Sequence, residues 1–380
     1  MGILTYSGEH DGFRQRVRRF LEKEVVSQAE QWEKDRRVPK RAWKKLGEAG
    51  FLCTAVSKKY GGHGKDFLYS VIVAEEMVKT GQNGLVSGLH SDIVVPYIES
   101  FGSEELKEKY LPGCVSGDII TAVAMTEPGA GSDLAAMETT AVEDGDEIVI
   151  NGSKIFISNG VNCDIVILAA KDPSVENKHE AVSLYILENG AKGFTRGRKL
   201  EKMGMHSQDT SELFFTDCRI PKTNRLGEKG HGFLMLMQKL QQERLVSAIW
   251  NVAAAEQILE VIVEYCKRTN ICGKPLSKSQ ATRFTLAEMA TEVKMNRVFL
   301  DHVIFRHMEG QAVTEETMML KFASSEMSNH MIDKALDLYG ESGALETNPL
   351  VRCFRDLRVN TIFAGTTEIM KTIIAGTMKL

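Results

Sequence analysis

Apolar residues at three- and four-residue spacing mark the first third of the chain as helical. The positions between them are rich in Arg, Glu and Lys, which is the pattern of an amphipathic helix with one buried face. The apolar positions of the first such helix are Phe13, Val17, Phe20, Leu21 and Val25. A glycine-rich stretch at Tyr60–Gly64 breaks this period as a loop, and apolar helical segments then resume. We therefore predict helices from about residue 10 to about residue 120.

A different pattern begins near residue 121. Short runs rich in β-branched residues, at Glu147–Ile150, Asp164–Leu168 and Val182–Leu187, are separated by turn dipeptides such as Asn151-Gly152. These features predict the strands of a small, mainly antiparallel β-domain.

Long helical periods return from about residue 233, over Leu240–Cys266, Ala281–Met308 and Thr314–Leu338. The predicted fold class is therefore α+β and mainly α, with three domains. They are an N-terminal helical domain (1–120), a middle antiparallel β-domain (121–228) and a C-terminal four-helix-bundle domain (229–380). Because no repeat or low-complexity linker separates them, we expect the domains to pack tightly together.

The charge balance and the spacing of the cysteines limit the kinds of partner and site to expect. The 47 basic and 51 acidic residues give a net charge of −4, which offers no electrostatic case for nucleic acid or for an anionic membrane. A basic stretch, Arg14–Arg19, is expected to be a solvated helix face. The seven cysteines are scattered without metal-binding spacing, so we expect reduced thiols, no metal site and a cytoplasmic protein. Met1–Tyr6 lacks the features of a signal peptide, and no apolar run reaches the roughly 18 residues that span a bilayer.

The most specific motif opens the β-domain. Thr126–Asp133 reads Thr-Glu-Pro-Gly-Ala-Gly-Ser-Asp, a loop of small residues that can bring backbone N–H groups and hydroxyls close to a heterocycle or a phosphate. On shape alone this signal is weak. As a string it closely resembles the signature of acyl-CoA dehydrogenases.

Three further stretches resemble motifs of that family in the family's order. They are Asn151–Gly160 (NGSKIFISNG), Lys202–Thr210 (KMGMHSQDT), and Arg355–Arg358 followed by Ile362–Ile369 (IFAGTTEI). The likeness covers nearly the whole chain. Within the family, Gln242–Leu245 is more similar to the long-chain and isovaleryl-type members than to the medium-chain type.

The resemblance implies FAD as the cofactor and a reaction in which a carboxylate removes the α-proton of an acyl-CoA thioester while a hydride leaves Cβ for the flavin. In many members that carboxylate precedes Gly-Thr in the C-terminal motif, but Ala364 occupies the place here. In long-chain and isovaleryl-type members a glutamate before Arg-Leu on a C-terminal-domain helix serves instead, and Glu243 matches it. The residues alone also allow Glu243 to be an ordinary exposed helix residue, four positions from Lys239. The vacancy at Ala364 favours Glu243 as the catalytic base.

The resemblance assigns further contacts residue by residue. Ser132, Arg244, Ala364 and Gly365 are implied on the substrate side, with the backbone N–H of Ala364 and a ribityl hydroxyl of FAD holding the thioester oxygen. Arg244 also fits a packing or charge-setting role beside Glu243. Flavin contacts are implied for Met125, Thr126, Ser132, Phe156, Ile157, Ser158, Gln280, Thr366 and Glu368.

Departures from the family pattern concentrate at the adenosine end of FAD. That end is normally held partly by a neighbouring subunit, through an Arg, a Phe, a Gln and a Gln with a Gly-Gly pair. Gln280 is retained, while the other places hold Thr269, Cys272, Asp337 and Gly340-Glu341. The pyrophosphate would then lack a cation unless Arg268 or another group reaches it, so weak FAD binding or an altered adenosine pose is expected.

Asp92 is a second departure, because it falls in the segment that by resemblance lines the acyl pocket. A carboxylate beside an alkyl chain costs free energy unless it is hydrogen-bonded or neutral. One interpretation is a structural residue satisfied by His90 or Ser91. The other is a second or sole base, since family members acting on alicyclic acyl-CoA substrates use an aspartate near this place.

The functional prediction is thus an acyl-CoA dehydrogenase that passes electrons to an electron-transfer flavoprotein and forms a homotetramer, or at least a dimer. An acyl-CoA oxidase is the enzymatic alternative. A non-catalytic protein that binds acyl-CoA or FAD is the alternative from another class, suggested by Ala364 and the altered adenosine contacts.

Overall fold

The computed structural model describes residues 3–380, so the sequence feature read from Met1–Tyr6 lies partly outside the described residues. The first domain is helical, as predicted. Its helices are α1 (Gly8–Glu24), α2 (Ala29–Asp35), α3 (Lys40–Glu48), α4 (Phe67–Val78), α5 (Val95–Phe101) and α6 (Glu104–Ser116). In α1 the residues Phe13, Val17 and Leu21 are buried, which confirms the amphipathic pattern. The Ser7 side chain accepts the His10 N–H and fixes where the helix begins.

A six-residue π-helical turn, Leu89–Val94, leads directly into α5. Such turns widen the backbone spiral and are often found at functional sites. This one carries His90 and Asp92, both of them buried.

The middle domain is a sheet in which five of the seven strand pairs are antiparallel, so it is mainly antiparallel, as predicted. Its strands are β1 (Thr121–Ala124), β2 (Thr140–Asp144), β3 (Glu147–Ser158), β4 (Ile165–Lys171), β5 (Val182–Glu188), β6 (Phe194–Lys199), β7 (Thr210–Pro221) and β8 (Arg225–Leu226). A short helix, α7 (Lys178–Ala181), precedes β5. The path runs β6-β7-β3-β2-β4-β5-β8, and β1 pairs with β4 in parallel.

The last part of the chain is helical again. Its helices are α8 (Gly232–Arg268), α9 (Gln280–Met308), α10 (Thr314–Tyr339), α11 (Pro349–Leu357) and α12 (Thr367–Thr377), and a small hairpin of β9 (Asn270–Ile271) and β10 (Lys274–Pro275) joins α8 to α9. Among the described residues, α8 is the one helix long and apolar enough to cross a membrane by length and composition. Most of that stretch is buried inside the protein, as expected for the central helix of a bundle.

Helix α4 ties the first domain to the bundle. Leu68 and Val71 of α4 share a hydrophobic core with Leu245 and Ile249 of α8, which confirms the expected tight packing. A neighbouring ion-pair cluster joins α1, α4 and α9. The expectation that Arg14–Arg19 is a solvated face is wrong for Arg14, whose guanidinium donates to Glu75 and Glu76 at 2.7 and 3.1 Å.

Candidate active site

Glu243 lies on α8 with its carboxyl group directed into the protein. The residue is half-buried, and its Oε2 is fully buried without a hydrogen-bond partner in the described part of the chain. Burial raises the pKa of Glu243 to about 7, against the opposing charges of Arg244 and Lys321. The alternative of an ordinary exposed helix residue is therefore wrong. A buried, unpaired carboxyl that ionises near neutral pH has the properties of a general base.

The turn that carries the vacant family position lies beside α8. Ala364 and Gly365 both have left-handed backbone conformations, with φ of 53° and 91°. A Cβ placed on Gly365 would lie 3.6 Å from the Arg244 Nε. Arg244 follows Glu243 and Gly365 follows Ala364, so the two positions are close in space. Thr366 then caps α12 by accepting the Ile369 N–H. The fold thus brings the two sequence-predicted carboxylate positions to neighbouring elements.

Asp92 is buried, and its partner differs from the one expected. The Ser70 hydroxyl on α4 donates to the Asp92 Oδ1 at 2.6 Å. The interpretation that His90 or Ser91 satisfies Asp92 is wrong, because the π-helical turn aims the three side chains in different directions. The His90 ring faces Thr121 and the Cys114 carbonyl, and the Ser91 hydroxyl accepts the Cys53 N–H.

The surroundings of Asp92 connect it to the rest of the site. Burial raises the pKa of Asp92 to about 7, and the Ser70 hydroxyl opposes that rise. The Gln242 amide donates to the Asp92 carbonyl at 2.6 Å, which links the π-helical turn to the residue before Glu243. A Cβ on Gly88 would lie 3.5 Å from the Asp92 Oδ2 and 2.8 Å from the Trp250 ring, so the backbone here approaches α8 closely.

A large cavity starts at this place. Its volume is about 1070 Å³, and it borders Gly88, Trp250 and Phe363, the last of which immediately precedes Ala364. The Trp250 and Phe363 ring centroids are 6.5 Å apart. Apolar side chains of α4 and α8 continue the wall, while charged residues of α2 and α11 line the remainder.

The glycine-rich motif and the strand motif assemble into one platform. The Ile155 N–H donates to the Thr126 carbonyl, and Lys154 donates to the Met125 carbonyl at 3.0 Å and to Glu127 at 2.7 Å. Glu127 also accepts the N–H groups of Glu138 and Thr139. This buried pair, which the sequence interpretation missed, shapes the loop around Met125 and Thr126. A Lys two residues before Phe156 in the matching motif was the available signal.

The exposed side of the platform carries the remaining flavin candidates. Phe156 is 65% exposed and has a φ of 61°, at a bulge where the pairing of β3 with β7 shifts register. Bulky residues rarely adopt this conformation, and such strain clusters at functional sites. Ser158 is half-buried, Ile157 is buried, and Ser132 is exposed on the loop. An uncovered aromatic ring beside hydroxyls and open glycine-rich backbone suits the flat ring system of FAD.

The residues predicted to contact the adenosine end of FAD belong to the C-terminal helical domain. Gln280 begins α9 and is exposed, as are Cys272, Asp337 and Glu341. Glu368 is exposed in the first turn of α12. That a second subunit holds part of this end of FAD stays a prediction.

Two polar residues at the site were not singled out from the sequence. Lys321 on α10 is fully buried and donates to the Gly365 carbonyl at 2.6 Å. The Tyr97 hydroxyl on α5 is buried without a partner among the described residues. Burial raises the pKa of Tyr97, and the nearby charge of Glu243 raises it further. Neither showed a sequence signal, because a lysine and a tyrosine within helical periods are usually surface and core residues.

The chain thus combines a β-domain between two helical domains, an exposed aromatic platform on that β-domain and a buried carboxyl oxygen on α8. Residues 7–118, 122–218 and 230–379 match the N-terminal, middle and C-terminal domains of acyl-CoA dehydrogenase. The chain belongs to the acyl-CoA dehydrogenase family, whose members are FAD-dependent oxidoreductases.

Individual relatives agree over nearly the full chain. The long-chain specific mitochondrial acyl-CoA dehydrogenase of Mus musculus is 40% identical over 97% of this chain and 86% of its own length. The crystal structure of an acyl-CoA dehydrogenase from Geobacillus kaustophilus shares 49% identity, with a TM-score of 0.97 over 99% of both chains. A chain from the structure described as the electron transferring flavoprotein of Acidaminococcus fermentans shares 32% identity, with a TM-score of 0.94 over 99% of both chains.

Proposed function

We propose that the protein oxidises acyl-CoA thioesters to enoyl-CoA with Glu243 as the base that removes the α-proton. The observation that carries this proposal is the buried Oε2 of Glu243, which has no hydrogen-bond partner among residues 3–380. Its helix lies beside the turn at Ala364, where many relatives carry the carboxylate. A protein that only binds acyl-CoA would gain nothing from a buried carboxyl at Glu243 when the usual position, Ala364, has none. Its desolvation would cost free energy without return.

The chemistry divides between cofactor and chain. Met125, Thr126, Phe156 and Ser158 would hold FAD, which when bound would supply the acceptor for the hydride from Cβ. The chain supplies the rest. Glu243 takes the α-proton, and its pKa of about 7 keeps it partly ionised at neutral pH while retaining basicity.

The turn at Ala364 prepares the substrate for that step. Its backbone N–H donates to the thioester oxygen and stabilises the negative charge that develops there as the α-proton leaves. The donor belongs to the main chain, so the alanine side chain does not weaken it. Arg244 lies beside this turn and sets the local charge.

We further propose that the preferred substrates have long acyl chains. The cavity that borders Gly88, Trp250 and Phe363 lies next to the turn at Ala364, and its volume of about 1070 Å³ has room for a long tail. The apolar side chains of α4 and α8 suit that tail. The naming of the Mus musculus relative supports the same substrate class.

The electron acceptor we propose is an electron-transfer flavoprotein, supported by the family and by the Acidaminococcus fermentans structure. We also propose a homotetramer, or at least a dimer. Helix α9 exposes a set of large apolar side chains that a second subunit would cover: Phe284, Met295, Val298 and Phe305. Gel filtration with light scattering checks this, and a monomer with full FAD occupancy contradicts it.

A second candidate function rests on Asp92. Its buried carboxyl, held by one hydroxyl group and raised in pKa to about 7, fits an additional or sole base for alicyclic acyl-CoA substrates. Asp92→Asn keeps the shape and removes the base. We expect it to abolish turnover of cyclohexane- or cyclohexene-carboxyl-CoA while sparing FAD content. A modest, uniform loss on all substrates assigns Asp92 a structural role instead.

The proposed function is tested by mixing the FAD-loaded protein anaerobically with a panel of straight, branched and alicyclic acyl-CoA thioesters. Flavin bleaching that is fastest with long straight chains, with enoyl-CoA as product, supports it. Rapid reoxidation by air with stoichiometric peroxide identifies an oxidase instead. Tight binding of every thioester without bleaching identifies a non-catalytic protein.

A further inference from the structure

Lys321 is one of the most thoroughly buried charged residues of the chain. It lies within α10, which packs against both α8 and α12, and its side chain has no solvent exposure. Its ammonium donates to the Gly365 carbonyl at 2.6 Å, and no other hydrogen bond to it exists within residues 3–380. A buried lysine costs free energy that an apolar residue of similar volume would not, so its retention calls for a specific role.

The carbonyl it holds belongs to the turn that faces the substrate. Ala364 and Gly365 are consecutive left-handed residues, and Ala364 has a side chain that disfavours this conformation. The Gly365 carbonyl precedes the cap residue Thr366 and therefore lies outside the hydrogen-bond ladder of α12. The Lys321 ammonium is the group that fixes its direction. Only the backbone of Ala364 and Gly365 separates this carbonyl from the Ala364 N–H. A change in the φ and ψ angles of these two residues would therefore alter the direction of the N–H as well.

We propose that Lys321 is a positioning residue, whose buried ammonium holds the turn so that the Ala364 N–H points at the thioester oxygen of the substrate. This inference rests on the proposed function, because it assigns how that site reaches its working geometry. Lys321 does not touch the reacting atoms in this account. It acts through Gly365.

The pKa of Lys321 stays above neutral, so its ammonium is charged at pH 7. Desolvation lowers the pKa of Lys321 to about 8, Arg244 lowers it further, and Glu326, Glu243 and Glu368 oppose this. The positive charge in turn favours the ionised form of Glu243. A neutral replacement would therefore loosen the turn and also weaken the bias toward a charged base.

The test compares Lys321→Met with Lys334→Met, which makes the same change on the same helix. Lys334 pairs with Glu288 near the surface, away from the turn. Both variants are loaded with FAD, and their cofactor content and melting temperature are recorded first. A conjugated 2,4-dienoyl-CoA is then added, because the red shift of its absorption on binding reports how strongly the carbonyl is polarised.

We expect Lys321→Met to bind the dienoyl-CoA with little change in affinity, to lose most of the red shift and to bleach about 10²-fold more slowly with substrate, the cost of a misplacement near 1 Å. Lys334→Met should match the unchanged protein. A normal red shift and a normal bleaching rate in Lys321→Met overturn the inference while leaving the proposed function intact. If the unchanged protein neither bleaches nor shifts the dienoyl-CoA spectrum, both fail.

Should Lys321→Met not fold, Lys321→Gln carries the test, since it retains a neutral donor on a shorter side chain. The inference predicts a red shift intermediate between none and normal. A full red shift in this variant overturns it.

Discussion

Two groups of buried carboxyls, one on helix α4 and one on elements packed against it, have opposite electrostatics. Glu76 of α4 has 1% of its side chain exposed and receives Arg14, Arg18 and Lys79 at 2.8 to 3.1 Å. These cations lower the pKa of Glu76 to about 2 despite its burial. On the elements packed against α4, Asp92 has one hydroxyl partner and Glu243 has an Oε2 without one in the described chain.

The contrast shows that burial alone does not decide the state of a carboxyl. Glu76 is charged and structural, because its partners compensate desolvation with charge-assisted hydrogen bonds. Burial raises the pKa values of Asp92 and Glu243 to about 7, because within residues 3–380 no cation forms an ion pair with either carboxyl. Only the second kind can exchange a proton at neutral pH, and it lies where the substrate is proposed to bind.

The largest expected effect concerns Glu243. Glu243→Gln keeps size and removes the base, so the chemical step should slow by about 10²- to 10⁴-fold, the range that general-base catalysis supplies. The free energy of unfolding should stay level or rise, because an unpaired buried acid is replaced by a neutral amide. Glu260→Gln on the exposed face of α8 is the control for both measurements. A large drop in the free energy of unfolding of Glu243→Gln would instead show that Glu243 is a structural carboxylate like Glu76.

The converse variant is Glu76→Gln. It leaves Arg14 partly buried without its full set of partners, so the free energy of unfolding should fall by about 3 kcal/mol. Activity per bound FAD should be retained. Glu24→Gln, whose partner Lys45 is half-exposed, should change stability by only about 0–1 kcal/mol. Denaturant titration gives the free energy of unfolding of the unchanged protein and of both variants. Equal losses from Glu76→Gln and Glu24→Gln would contradict the special stabilising role given to Glu76.

A smaller effect is the opposite pH dependence of the two groups. The pKa of Glu243 is raised from 4.5 to about 7 in the folded state, so its contribution lowers stability as pH rises from about 4.5 toward 7. The pKa of Glu76 is lowered to about 2, so its stabilisation is present above about 4.5 and is lost as pH falls toward 2. Unfolding of the FAD-free protein between pH 3 and 8 measures both slopes.

Glu243→Gln should remove the first slope and Glu76→Gln the second. The rate of flavin bleaching should rise with pH through about 7 as Glu243 ionises, with Arg244, Lys321 and Tyr97 as the charged or titratable groups that face it. A rate that does not change between pH 6 and 8 would contradict a base with this pKa.

Much of the fold followed from the sequence because its signals are local. The spacing of Phe13, Val17 and Leu21 predicted α1, and the β-branched runs predicted β3 to β5. The family motif and the vacancy at Ala364 directed attention to Glu243, whose burial agrees with that interpretation. Its catalytic role stays a prediction.

The remaining features depend on partners far apart in the chain. The Ser70 contact to Asp92, the Lys154 pair with Glu127 and the Lys321 contact to Gly365 join residues 22 to 44 positions apart. Arg14 reads as a surface residue until Glu75 and Glu76 are placed beside it. No periodicity encodes such contacts, because they arise only when helices and strands pack.

The catalytic carboxylate is proposed to be Glu243 on α8, in place of a residue at the Ala364 turn. Single-turnover bleaching of bound FAD tests it most directly, in Glu243→Gln and in Glu243→Gln combined with Ala364→Glu, after FAD content has been equalised. We expect the single variant to be slower by at least about 10²-fold. The double variant should recover part of the rate, since a misplacement near 1 Å costs about 10²-fold. Near-normal bleaching in Glu243→Gln alone would contradict the account and leave Asp92 as the remaining candidate base.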